Sequence, residues 1–273
     1  MQNRIFFLSG LPRTGSTLLG SILNQNPHVH VSPTSPLHGL LVNTNERINL
    51  MNLQYTFDSR AIGDRVYRGI VEAFYPAERE RPIVFDKHRS WPKHVDAIQE
   101  LVDPEPRIIC TVRPIAEIIA SYITLANDDP SNFIDKHLRD MRESVSDEAR
   151  AHLLWTHYLN DPTGDGNGPY ECLRQGMQTH SENLLLIDYD KLCYRPEQAL
   201  QEVYTFCGID PFEHDIESIE NTCAEAKDAA WGLKNLHTIR PRLGKTSVDP
   251  LTVLPQAAID YFGQFDLTEV AAW

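Results

Sequence analysis

The chain is short of cysteine, of positive charge and of long apolar runs, and each shortage excludes a class of protein. Its five cysteines (Cys110, Cys172, Cys193, Cys207 and Cys223) are scattered over 273 residues, with no CxxC pair. An odd, dispersed set supports neither a disulfide framework nor a zinc site, so these read as reduced, mostly structural thiols. Lys and Arg number 25 against 38 Asp and Glu, a formal net charge of −13. That balance argues against a general binder of nucleic acid or of anionic membranes, yet leaves room for an anionic small ligand in a local pocket of cations. No stretch approaches the roughly eighteen apolar residues that span a bilayer. The early run Ile5-Phe6-Phe7-Leu8 meets a glycine turn before a signal-peptide core could form. A cytoplasmic protein is expected. There is no internal repeat, no low-complexity linker and no metal-ligand spacing, and oligomeric state is not legible.

What is present alternates. The run at residues 5–9 precedes a Gly/Pro turn and reads as a buried strand. Pro82-Ile83-Val84-Phe85-Asp86, Arg107-Ile108-Ile109-Cys110-Thr111-Val112 and Asn183-Leu184-Leu185-Leu186-Ile187 read the same way. Helices are expected over 17–25, 37–75, 92–101, 114–125 and 196–207, the last closed by Gly208. Helix should dominate 135–160, followed by a loop at 163–169. Strands that are apolar throughout and alternate with helices imply a parallel sheet covered on both faces. Ligands in such folds bind beyond the carboxyl ends of the strands. That places residues 9–17, residues 86–91 and Arg113 along one edge.

The turn after the first strand, Gly10-Leu11-Pro12-Arg13-Thr14-Gly15-Ser16-Thr17, has the chemistry of a phosphate loop. Its glycines let the backbone wrap an anion, and the following helix N-terminus offers unpaired N–H groups. Ser16 and Thr17 add hydroxyl donors, and Arg13 adds a bidentate cation. The spacing is that of a Walker A loop, but Ser16 stands where the lysine belongs. Without that lysine, ordinary ATP chemistry is disfavoured. The expected fold is thus a single P-loop-like α/β domain over residues 1–273. It has three layers, a central, mostly parallel sheet with helices on both faces, and helical insertions at about 32–80 and 130–180.

The segment from Phe7 to Leu19 resembles the 5′-phosphosulfate loop of sulfotransferases that use the sulfate donor PAPS, where the familiar form is PRSGTTLL. The resemblance implies that Arg13, Thr14, Gly15, Ser16 and Thr17 hold the donor. Val112-Arg113-Pro114 with Ser121 eight residues beyond the arginine is similar to that family's 3′-phosphate motif. Ile187-Asp188-Tyr189, then Arg195-Pro196, then Phe206-Cys207-Gly208 resembles a further segment, whose aromatic residue, here Tyr189, is expected near the nucleotide. Asp188 at the end of a strand also resembles a Walker B aspartate. The basic loop Arg240-Pro241-Arg242-Leu243-Gly244-Lys245 resembles the loop that closes over the 3′-phosphate, which implies roles for Arg242 and Lys245.

Sulfuryl transfer to a hydroxyl or amine needs a base, cations at the transferring group and in-line placement. Members of the family carry Lys-x-His at a strand end. Here Phe85-Asp86-Lys87-His88-Arg89 supplies Lys87 directly, puts His88 one residue early and sets Arg89 in the histidine position. Lys87 and Arg13 are expected to stabilise charge and His88 to act as base, with His38, Asp86 and Glu46 as alternatives. Another branch uses a glutamate after the first helix, but residues 32–36 contain no carboxylate. The two helical insertions, including Trp155 and Tyr158, are candidates for binding a small-molecule acceptor; Trp155 and Tyr158 equally fit the core of an amphipathic helix. The product would be adenosine 3′,5′-bisphosphate (PAP). A P-loop kinase of a small metabolite and a nucleotide-binding protein without catalysis remain as alternative readings.

Overall fold

The computed structural model describes residues 4–54, 59–76, 80–161, 168–223, 232–246 and 248–268. Strand β1 (Arg4–Gly10) leads into helix α1 (Ser16–Leu23), followed by β2 (Val29–Thr34), α2 (Leu37–Gln54) and α3 (Ser59–Phe74). Next come β3 (Ile83–Lys87), a 3₁₀ turn at Trp91–His94, α4 (Val95–Leu101), β4 (Ile108–Val112) and α5 (Ile115–Asp128). Helices α6 (Phe133–Asp140), α7 (Asp147–Leu153) and α8 (Pro169–Thr179) precede β5 (Leu184–Asp188). The chain continues through α9 (Tyr189–Tyr194), α10 (Pro196–Cys207) and α11 (Gln256–Gly263).

The five strands form one sheet in the order β2-β3-β1-β4-β5, and every pairing is parallel. Side-chain alternation divides the interior in two. Phe7, Val84, Ile108, Cys110 and Val112 join a core with α2, α5 and α8, while Phe6, Leu8, Phe85 and Ile109 join a second core with α1, α9 and α10. Sheet strands buried on both faces are why the sequence shows unbroken apolar runs there. Because all strands are parallel, Gly10, Lys87, Val112 and Asp188 end on the same edge, where the expected site residues lie.

The two-sided α/β sheet is as the sequence indicates, with differences in detail. Strand β2 was not expected. The single helical stretch over 37–75 is two helices, its middle at 55–58 lying outside the described residues. Helix does occupy much of 135–160, but α6 and α7 are separate, and Ser146 caps α7 by accepting from the Ala149 amide. A π-helical turn at Leu154–Leu159 ends the segment, with Asn160 N–H donating to Trp155 O at 2.8 Å. Trp155 is buried against Phe265 and Tyr170, so it belongs to the core. Most of the expected loop at 163–169 lies outside the described residues. At the other edge of the sheet, the Arg4 and Arg107 guanidinium groups donate to the C-terminal carbonyls of α10. All five cysteines are buried, and none is in a disulfide. No described helix is long and apolar enough to cross a membrane.

Candidate active site

The loop between β1 and α1 is shaped by two glycines. Gly10 has φ 118° and lies against the Thr111 backbone, so a Cβ there would collide with the Thr111 carbonyl and amide. Gly15 has φ 86°, and a Cβ would meet the Tyr189 ring at 2.8 Å. Arg13 itself takes φ 61°, an unusual conformation for a non-glycine residue. The loop is pinned from below by Thr14, which is fully buried. Its hydroxyl donates to Leu11 O at 2.5 Å and lies 2.6 Å from the Thr111 hydroxyl. Ser16 and Thr17, at the start of α1, line a cavity of about 280 Å³.

The strand ends on either side bring the other expected residues to that cavity. Arg113 leaves β4 only 3% exposed. Its Nε donates to Glu117 at 2.8 Å, Nη1 to Arg13 O at 3.2 Å and Nη2 to Thr246 O at 3.1 Å. Its guanidinium also lies 4.6 Å over the Tyr189 ring. Arg13 donates through Nε to the Ser121 hydroxyl at 3.1 Å, and through Nη1 to Leu236 O. Phosphate loop, α5 and the C-terminal segment are thereby tied into one wall. Arg242 sits at the rim, largely exposed, with its Nε 2.7 Å from Glu217. Lys245 is not on the wall. Its amine is held 2.8 Å from Asp190 and 3.2 Å from Glu117, which fastens the loop instead.

The electrostatics are concentrated. Arg13, Arg89, Arg113, Arg240 and Arg242 line the cavity, and no Asp or Glu is among the described residues of its wall. In a chain of net charge −13 such a surface is a local anion site. Lys87, buried at the end of β3, reaches within 3.4 Å of the Thr17 hydroxyl. Asp188 caps α9, its Oδ1 accepting from the Asp190 and Lys191 amides, which is a different task from that of a Walker B residue.

His88 lies to one side, off the cavity wall. Its ring stacks on His38 at 4.2 Å and 7°, with His94 4.8 Å from His38. The Nδ1 of His88 accepts from the Ser90 amide at 3.2 Å, which puts the proton of the neutral ring on Nε2. Among the described residues, the buried Nε2 of His38 has no hydrogen-bond partner. Of the alternatives, Asp86 is wholly buried and held by the Tyr75 hydroxyl at 2.6 Å and the Trp91 indole at 2.9 Å. Glu46 is exposed on α2. Sequence reading passed over Glu117, Arg240 and Thr246. For Glu117 the available signal was its place one helical turn after Arg113.

Burial first, then the charges of His88, His94 and Lys93, lowers the pKa of His38 to about 3. Burial, then Arg89 and His94, lowers that of His88 to about 4. In the unfolded chain both titrate near 6.5, so on acidification the unfolded state takes up these protons first. Folded stability should therefore be full above about pH 6.5 and decline as pH falls toward 4. The melting temperature of the wild type is expected to drop over that window more steeply than that of His38→Gln. Parallel profiles for the two proteins would show that the histidine stack does not set the acid sensitivity.

The protein is an all-parallel, P-loop-like α/β sheet with an arginine-lined cavity at its carboxyl edge. Comparison with known proteins then fixes the family: the model of the Sulfotransferase family matches residues 6–214, and the chain belongs to it. A sulfotransferase domain from the curacin biosynthetic pathway is similar over 97% of each chain, with 17% identity and a TM-score of 0.53. Mouse sulfotransferase SULT7A1, solved with PAP, is similar over 97% of this chain and 84% of that one, with 14% identity and a TM-score of 0.51. STF9 from Mycobacterium avium is similar over 96% and 75% of the two chains, with 13% identity and a TM-score of 0.50. At these identities the likeness is one of fold. No curated protein matches the chain.

Proposed function

We propose that the protein moves a sulfuryl group from PAPS to a hydroxyl or amine of a small-molecule acceptor. The observation that carries this reading is the cavity wall of five arginines without a described carboxylate, built around a phosphate loop that lacks the Walker lysine. The residues present fit a nucleotide with two phosphate-type ends. The amides of residues 14–17 and the hydroxyls of Ser16 and Thr17, together with Lys87, serve one end, while the expected Thr14 hydroxyl is buried and spent on pinning the loop. Arg113, Ser121, Tyr189 and the 240–246 loop serve the other, with Arg242 at the rim and Lys245 fastening the loop.

When bound, PAPS supplies a sulfuryl group activated by a phosphate leaving group. The residues of this chain then hold, screen and deprotonate. Arg13 and Lys87 offset charge near the phosphate loop. The His88–His38 pair, kept neutral at pH 7 by burial and with His38 Nε2 lacking a hydrogen-bond partner among the described residues, is assigned the acceptor's proton. The helices α2 and α3, and the segment from α6 to α8, are assigned to acceptor recognition.

The test is ligand-induced thermal stabilisation by PAP against ADP with Mg²⁺ at matched concentrations. A ligand that binds only the folded state adds about 2.7 kcal/mol at a hundredfold excess over Kd. A clear shift with PAP alone is expected. A shift confined to ADP with Mg²⁺ would overturn the sulfotransferase reading in favour of a kinase.

A further inference from the structure

The cavity arginines are not equivalent. Arg13 and Arg113 commit N–H groups to Ser121, Leu236 O, Glu117 and Thr246 O, and Arg242 pairs with Glu217. Arg240 is exposed. Arg89 is half-buried on the wall, and among the described residues its guanidinium has neither a hydrogen-bond nor an ion-pair partner. Its backbone, by contrast, is clamped. The preceding amide of His88 donates to Leu8 O at 3.0 Å, and Ser9 Oγ donates to Arg89 O at 3.0 Å. The residue is thus fixed against the start of the phosphate loop while its cation is left over.

A guanidinium drawn out of bulk water without a counter-charge is unfavourable, which implies that an anion completes it. Sheet order indicates which one. Arg113 follows β4, on one side of β1; Arg89 follows β3, on the other side, two residues after the Lys87 that touches Thr17. Arg89 therefore belongs to the Lys87–Thr17 end of the cavity and not to the Arg113–Ser121 end. We infer, resting on the proposed function, that Arg89 is a catalytic residue whose guanidinium binds the non-bridging oxygens of the sulfuryl group.

The chemistry balances without any proton on Arg89, which stays charged throughout. The sulfur–oxygen bond to the leaving phosphate breaks, one to the acceptor oxygen or nitrogen forms, and the acceptor proton passes to the imidazole side. An arginine cannot act as general base. Its presence at this position accordingly separates two roles, charge stabilisation on the cavity wall and proton removal at the His88–His38 stack.

The experiment compares equilibrium affinities of the two nucleotides, which differ only in the sulfuryl group, in the absence of acceptor. Arg89→Ala is expected to weaken PAPS binding about tenfold and to leave PAP binding within twofold, with Arg89→Lys intermediate. Turnover in Arg89→Ala should fall by about a hundredfold. Equal weakening of PAP and PAPS would overturn the inference by making Arg89 a phosphate ligand. No change in either affinity would overturn it by leaving Arg89 a solvated wall residue. Failure of the wild-type protein to bind either nucleotide would instead remove the proposed function itself, so the two failures are distinguishable.

Discussion

Lys87→Met lowers turnover by about a thousandfold, with PAP affinity changed only a few fold, if the amine acts on the transferring group. Lys87 is 6% exposed, and its Nζ lies 3.4 Å from the Thr17 hydroxyl. Methionine retains most of the apolar stem, so packing at the end of β3 is largely kept while the charge is removed. The backbone anchors are also untouched, since the Lys87 amide donates to Ser32 Oγ at 2.9 Å and its carbonyl accepts from the Ser35 amide at 2.8 Å. His88→Ala forms the second arm and should cost about a hundredfold in turnover at constant PAP affinity. Steady-state kinetics with separate PAP titrations decide the matter. If Lys87→Met weakens PAP as much as it slows turnover, the lysine is a phosphate ligand. If His88→Ala turns over normally, the base lies elsewhere.

Gly10→Val should prevent folding. The added Cβ falls on the Thr111 carbonyl and amide, backbone atoms of the central β1–β4 pairing that cannot step aside, at a φ of 118° that a branched side chain does not tolerate. A steric conflict of this kind costs more than about 4 kcal/mol, a large share of the roughly 5–15 kcal/mol that holds a typical domain together. Insoluble expression, or a urea midpoint too low to measure, is expected. Gly39→Ala is the control. It lies in α2 with nothing within 4 Å of the new methyl, and should be neutral or stabilising by about 0.5–1 kcal/mol. A soluble Gly10→Val protein with a wild-type midpoint would mean that the loop can be rebuilt around a side chain.

Four of the five strands were legible from unbroken apolar runs: β1, β3 and β4 lie inside the sheet and are covered on both faces, and β5, an edge strand of mostly half-buried residues, still carries four consecutive apolar side chains. Strand β2, Val29-His30-Val31-Ser32-Pro33-Thr34, was not. It is an edge strand, with polar residues and a proline that only an edge accommodates, and its register with β3 shifts between Val31 and Thr34. The β1–α1 turn was legible for a related reason: glycine and proline between an apolar strand and a helix mark a tight turn. Arg113 and Ser121, read from their spacing as a pair for one phosphate, both contact Arg13, a tie that spacing did not announce. Less visible was how a wall cation is occupied. Lys245 looks like a phosphate ligand in sequence, but Glu117 and Asp190, distant along the chain, hold its amine. Nor could spacing show that His88 would turn toward His38, since α2 reaches it only through the unrecognised strand.

The order of strands in the sheet has a consequence for how the protein emerges from the ribosome. The strand that carries the phosphate loop lies at the centre of the sheet, yet its neighbours begin only at Ile83 and Ile108. The apolar run Phe6-Phe7-Leu8 therefore waits, unpartnered on either edge, while α1 to α3 are made. During that interval it is a natural client for chaperones that bind short hydrophobic segments. Slowing translation between residues 10 and 83 would prolong that exposure, whereas a pause after residue 112 would give the nascent chain all three central strands with which to close.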